Sequence, residues 1–370
     1  MKKSVIPFFF ILLLFSACAR GENAENIKDA AYRLQDNLQY FINTPMGEYY
    51  MNPLDERGMI YFSEHGKHEF YLLCNKPDCS HSDENCNAYA GIALGYYNNH
   101  LYSVCLQSSD DEFTLVQMNM DGSEHKKICS LPEQHAPDGT ISGGGSYGFH
   151  NGFLLYELLS DTDANLPTAY YKIELESGKT ERLFEEETKD NILFGNDLKM
   201  RDNQLYFCTK TAKSNIPKLL QGNLETGTAI TLIDDFSDCA ITNIDENTVY
   251  YFHFGLGFCE YDINSKTETV KLKTDYPIAQ VTYTDDYIFA KTNLSEDFEA
   301  DWVFCVYDRD YHLLNQTNLG SDIKAPKFMY VTDEVIYFSQ FGNKLTHYIK
   351  IKNIEKDLTL VEMTDPYALR

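Results

Sequence analysis

One short pattern recurs seven times along this chain: a turn-forming residue or pair, then a brief apolar and aromatic strand. It reads Gly58-Met59-Ile60-Tyr61-Phe62, then Asn99-His100-Leu101-Tyr102, then Gly152-Phe153-Leu154-Leu155-Tyr156, then Asn203-Gln204-Leu205-Tyr206-Phe207. It continues as Asn247-Thr248-Val249-Tyr250-Tyr251, Asp286-Tyr287-Ile288-Phe289 and Glu334-Val335-Ile336-Tyr337-Phe338. Recurrence at roughly 40 to 50 residues, with several short strands per period, belongs to sheets arranged radially around an axis. The second half of each period agrees. A third strand, a turn-prone cluster and a fourth strand follow one another, as at Tyr170 to Leu175 before Ser177-Gly178-Lys179 and at Leu219 to Leu224 before Thr226-Gly227. Phe258 to Ile263 before Asn264-Ser265-Lys266, and Val303 to Tyr307 before Asp308-Arg309-Asp310, repeat it. These are hairpin signals. Short apolar segments ahead of the leading turn, such as Ile278 to Val281 and Phe328 to Val331, supply an innermost strand. The expectation is an all-β β-propeller of seven blades, each of four antiparallel strands. Six or eight blades stay open, and the even spacing argues against a stack of β-sandwiches.

Composition fits that expectation. Of 370 residues 43% are hydrophobic, and 27 Tyr and 23 Phe stand beside a single Trp, an aromatic set suited to strands. Length alone would suggest two or three domains, but a ring of sheets can use the whole chain as one. The formal charge is −25, from 31 basic and 56 acidic residues. A surface this acidic repels nucleic acid and anionic headgroups, so neither is an expected partner.

The N-terminus reads as a processing signal. Lys2 and Lys3 precede an apolar stretch from Val5 to Phe15, broken by Pro7 and too short to span a bilayer. Phe15-Ser16-Ala17-Cys18 follows and resembles the lipobox of bacterial lipoproteins. That resemblance implies removal of residues 1–17 and acylation of the Cys18 sulfur, which would anchor the chain to the lipid bilayer on the extracytoplasmic face. The alternative is an ordinary secretory peptide. Residues 18–45 then form the lipidated end, a polar tether and a short amphipathic helix, since Ile27, Ala30, Ala31, Leu34, Leu38, Phe41 and Ile42 fall at helical spacing. Tyr40 to Ile42 could instead be a ring-closing strand. Residues 46–370 are the propeller.

One cluster could carry chemistry. Cys74-Asn75-Lys76-Pro77-Asp78-Cys79-Ser80-His81, continuing to Cys86, replaces the expected turn between the third and fourth strands of the first unit. Three thiols and an imidazole match the ligands of a tetrahedral zinc site, here Cys74, Cys79, His81 and Cys86. Cys79 and His81 can share a metal only where the backbone turns, which Pro77 and Asp78 favour. In an exported protein a disulfide among the three cysteines is an equal alternative, and inert thiols a third. Either bonded role is structural. Cys105, Cys129, Cys208, Cys239, Cys259 and Cys305 lie singly in strands and read as small buried thiols.

Other motifs carry less. Gly143-Gly144-Gly145 lacks the Lys-Ser/Thr and the helix of a phosphate loop. Asp110-Asp111-Glu112 and Glu185-Glu186-Glu187 read as solvated runs without a calcium-loop pattern. His65 and His68 need not share a face in a strand context, and nothing nominates a nucleophile. The blade pattern resembles loose bacterial propellers of the TolB-like kind over nearly the whole mature chain. The wording from Leu73 to His81 resembles that of predicted lipoproteins of anaerobic Gram-positive bacteria, a likeness that brings no activity with it. The expected function is a lipid-anchored extracytoplasmic binding or scaffolding module for a glycan, peptide or partner protein. A propeller-fold hydrolase or lyase, or a structural or sensory partner of a membrane protein, are the alternatives.

Overall fold

The computed structural model describes residues 40–52, 58–82, 85–107, 112–135, 141–142, 146–158, 168–185, 191–193, 198–211, 214–273, 278–293, 302–319, 328–339 and 345–363. Within these the chain forms seven antiparallel blades, taken strictly in sequence order. Blade I is Phe41–Thr44, Gly47–Asn52, Met59–Ser63 and Tyr71–Leu72, and blade II is Ala93–Tyr97, His100–Gln107, Glu112–Met118 and Lys126–Ser130. Blade III is Tyr147–His150, Phe153–Leu158, Ala169–Glu174 and Thr180–Leu183. In blade IV the first strand is split into Asn191–Leu193 and Lys199–Arg201, both paired to Gln204–Thr211, with Ser214–Asn223 and Thr228–Ile233 outside them. Blades V and VI are Cys239–Ile244, Thr248–His253, Gly257–Asp262, Thr267–Leu272 and Ile278–Tyr283, Tyr287–Asn293, Trp302–Asp308, Leu313–Asn318. Blade VII is Phe328–Val331, Val335–Ser339, Leu345–Lys350 and Val361–Glu362. A separate hairpin pairs Gln134–His135 with Ile141–Ser142. First strands of neighbouring blades touch one another, which puts them around the axis.

The turns explain the hairpins. Asn98-Asn99 joins the first two strands of blade II with φ of 52° and 60°, the left-handed pair that a two-residue hairpin needs and that Asn tolerates. Asn151-Gly152 does the same in blade III. Third-to-fourth turns are tied by side chains: Asp262 Oδ1 accepts from Ser265 N at 2.6 Å, and Asn223 Oδ1 from Glu225 N at 2.8 Å.

The core is divided among the seams. Apolar clusters lie between blades I and II (Tyr49, Leu94, Leu101), II and III (Tyr102, Leu154, Tyr156), III and IV (Tyr170, Phe184, Phe207) and IV and V (Phe236, Tyr251). Three more lie between V and VI (Phe258, Tyr283), VI and VII (Phe304, Phe338) and VII and I (Phe41, Tyr50, Tyr337). Alternate residues of the inner strands face the two neighbouring blades, while outer strands such as Thr267–Leu272 and Leu313–Asn318 are largely exposed. Each buried side chain contributes roughly 1.5–3 kcal/mol.

Two expectations change in blade I. Phe41 and Ile42 are strand, with Phe41 opposite Tyr50 and Thr44 opposite Gly47, so the propeller begins before residue 46; residues 27–39 lie outside the described set. Phe41 is drawn into the sheet because its ring stacks on Tyr330 of blade VII at 5.3 Å. Met59–Ser63, taken from the sequence as the second strand of its unit, the one after the leading turn, is the third; Gly47–Asn52 is the second. The blade count is unaffected.

The seam between blades VII and I carries a buried polar chain. Tyr337 Oη donates to Glu48 Oε2 at 2.5 Å, and His68 Nδ1 lies 2.9 Å from the same hydroxyl. Burial is the main cause that holds the Glu48 carboxyl above its ordinary range, reinforced by Glu334 and opposed by Tyr337 and His65. A carboxyl raised on folding gives its full stability below its unfolded value, about 4.3. That contribution is lost as pH rises through the folded value. Glu48→Gln should therefore be more stable than the parent at neutral pH, with the two converging in acid. Urea midpoints across pH check this, and parallel curves would contradict it.

Candidate metal centre

The sequence brings Cys74, Cys79, His81 and Cys86 together, and the structure places one donor atom from each within 4.8 Å of every other. The loop leaves blade I after Tyr71–Leu72, its fourth strand, rather than between the third and fourth strands as the sequence suggested. Its far end returns to the same edge. Tyr89 bridges Met59, Ile60 N donates to Ala88 O at 2.7 Å and Ala90 N to Gly58 O at 2.9 Å. Blade I thus has an outer strand in two pieces, with the cysteine loop between them.

The local backbone explains how Cys79 and His81 converge. Cys79 N donates to Lys76 O at 3.3 Å, closing a turn over Pro77-Asp78. His81 then sits at φ 53°, a left-handed conformation that costs a non-glycine residue about 1–2 kcal/mol. The reversal brings Nδ1 to 3.4 Å from Cys86 Sγ. Lys76 Nζ donates to Asn85 O at 2.6 Å across the loop. The turn of blade II leans on the returning end: a Cβ at Gly122 would meet Asn87 O at 2.2 Å. Gly178 of blade III leans likewise on Ile128 and Cys129, in the outer strand of blade II.

Cys86 is fully buried in the seam cluster of blades I and VII, and Cys74 and Cys79 pack against it half-buried. Burial works against ionisation of Cys74, but N–H groups of Lys76 and Asn87 and the thiols of Cys86 and Cys79 outweigh it and hold it below its ordinary value. Burial, with Cys74 and Cys79 alongside, pushes Cys86 up to about 12.

The remaining candidates have structural roles. His65 Nε2 lies 2.8 Å from Thr44 O, and His68 belongs to the seam chain, so neither joins the thiols. Cys105, Cys129, Cys208, Cys239, Cys259 and Cys305 lie in strands of blades II, IV, V and VI. Cys239 and Cys259 are pushed by burial to about 12 and about 11. Gly143 to Gly145, Asp110-Asp111 and Glu186-Glu187 lie outside the described residues. Asp308, Asp310 and His312 also gather, but this is a closed hairpin turn, with Asp308 Oδ1 accepting from Asp310 N and His312 N at 2.9 and 2.8 Å.

Sequence reasoning missed an open cleft of about 290 Å³ between blades IV and V, lined by Arg201, Gln204, Tyr206, Gln221, Asn223 and Glu246, among others. Arg201 Nη1 donates to Asp245 Oδ1 at 2.5 Å and Ile244 O at 3.2 Å. Burial opposes ionisation of Asp245, yet the guanidinium wins and keeps its carboxyl below the usual range. The lining comes from four separate strands and turns, so no motif marks it.

No family model matches the sequence, and no curated protein matches it. Among solved structures, a puromycin-hydrolysing peptidase of Mycobacterium tuberculosis superposes with a TM-score of 0.56 at 11% identity, over 92% of this chain and 55% of that one. The chain thus spans about half the length of that peptidase. The computationally designed Ika8 protein gives 0.51 at 10% identity, over 90% and 99% of the two chains. TolB from Acinetobacter baumannii gives 0.41 at 15% identity, over 84% and 75%, too loose to add to the argument. Likeness at such identity speaks for shared architecture alone.

Proposed function

We propose that this protein is a lipid-anchored, extracytoplasmic β-propeller that binds a glycan, peptide or partner protein and does not transform it. The polar cleft between blades IV and V carries the reading. A guanidinium, amides and a carboxylate line it together with the Tyr206 ring and the exposed Ile230, a mix suited to a hydroxyl- or amide-rich ligand. The lipobox-like Phe15 to Cys18 supports the address.

Two experiments test it. Screening the domain from Ala19 onward against glycan and peptide arrays should give ligands that are recovered unchanged, with Gln204→Ala weakening binding roughly 10-fold or more. Shortened or unsaturated products would overturn the reading in favour of an enzyme. In cells, labelled fatty acid should enter the parent and be lost from Cys18→Ala, which should appear in the medium; equal labelling would remove the anchor.

A further inference from the structure

We propose that Cys74, Cys79, His81 and Cys86 hold one zinc ion, which ties the two pieces of the outer strand of blade I together. The donor set carries the identity. Three sulfurs and one imidazole nitrogen form the closed, soft, tetrahedral set that zinc prefers, whereas calcium and magnesium take oxygen ligands. Zn–S bonds of ~2.3 Å at tetrahedral angles put sulfurs about 3.8 Å apart, within the span the four donors already occupy.

A disulfide accounts for less of the geometry. It would join two sulfurs at about 2.05 Å and leave the third thiol and the imidazole outside the bond, although all four donor atoms lie within 4.8 Å of one another. The left-handed turn at His81 brings Nδ1 to 3.4 Å from Cys86 Sγ, a placement that a metal uses directly. Backbone donors point the same way. Ala88 N–H donates to Cys86 Sγ at 3.4 Å, and N–H groups of Lys76 and Asn87 face Cys74. Such donors suit metal-bound thiolates, which accept more strongly than disulfide sulfur.

Position gives the role. Cys74 follows the two-residue strand Tyr71–Leu72 after one intervening residue, and Cys86 lies three residues before Tyr89, which bridges Met59. One ion therefore clamps the departing and the returning chain where other blades have an unbroken fourth strand. On binding, Zn²⁺ displaces the thiol protons of Cys74, Cys79 and Cys86 to solvent and accepts the neutral imidazole, with no change of oxidation state. Four protein ligands leave no position for a substrate, so the site is structural.

The test uses the chain from Ala19 onward, which keeps every described residue, purified under reducing conditions without chelator. Elemental analysis should give one zinc per chain, and all nine described cysteines should titrate as thiols after denaturation and zinc removal. Cobalt reconstitution should give the visible bands of a tetrahedral thiolate site. Cys79→Ser and His81→Ala should lose the ion, His81→Cys should retain it, and Cys129→Ser should keep one zinc per chain. If Cys79→Ser fails to fold, the cobalt spectrum of the parent and His81→Cys decide. No zinc after reconstitution, two thiols fewer than nine, or zinc that survives both ligand substitutions would each overturn the proposal.

Discussion

Replacing Tyr337 with Ala should destabilise the ring by about 3–5 kcal/mol, the range for deleting a large aromatic from a packed interior. Tyr337 is fully buried in the second strand of blade VII, and its ring meets Phe41 at 5.5 Å and Phe70 at 5.7 Å, both in blade I. The blades follow one another in sequence, so among the described residues no strand from one end of the chain completes a sheet at the other. Side chains alone close the circle there. The substitution opens a cavity in that closure and strips Glu48 of its hydroxyl donor. Tyr337→Phe isolates the second effect and should cost about 1–3 kcal/mol, the penalty of a buried acceptor left unpaired. Chemical denaturation of both variants measures the two. A Tyr337→Ala loss below about 1 kcal/mol would mean that blades VII and I do not depend on this contact.

Gly58→Ala should cost roughly 3 kcal/mol or more, although it adds one methyl group near a loop. Gly58 has φ 54°, where Ala pays about 1–2 kcal/mol. Its added Cβ would also lie 1.7 Å from Gly91 O, a backbone atom of the returning outer strand that has no side-chain freedom to yield. The hydrogen bond from Ala90 N to Gly58 O would have to break or bend. The comparison is Gly255→Ala, where φ is 94° but nothing lies within 4 Å of the new Cβ. That variant should show the conformational cost only. Thermal denaturation of the pair separates clash from conformation, and equal losses would show that Gly91 does not press on Gly58.

The architecture was legible because the blades repeat a similar local chemistry: Asn, Gly, Asp or Glu at the leading turn, Tyr or Phe in the second strand, and turn formers such as Asp, Asn, Ser or Gly at the outer turn. Blade I was misaligned for a local reason. Its tight turn is Pro45-Met46, which lacks the Asn-Asn and Asn-Gly pairs of blades II and III, while Gly58 imitates them. Gly58 is a glycine because of the close approach of Gly91, a long-range cause invisible in local pattern. Phe41 and Ile42 fit a helical period, and their strand state comes from pairing with Tyr49 and Tyr50 and from the stack on Tyr330. The cysteine loop was readable because its four donors are close in sequence. The cleft between blades IV and V was not, since strand pairing within blade IV brings Arg201 near Gln221 and only the packing of blade V adds Glu246.

The most direct measurement is a crystal structure of the domain from Ala19 onward, with anomalous data collected on both sides of the zinc edge. The account requires seven blades with Phe41 stacked on Tyr330, and one anomalous peak bonded to the sulfurs of Cys74, Cys79 and Cys86 and to Nδ1 of His81. Continuous density between two of those sulfurs, with no peak, would contradict the metal. A gap between blades VII and I would contradict the closed ring.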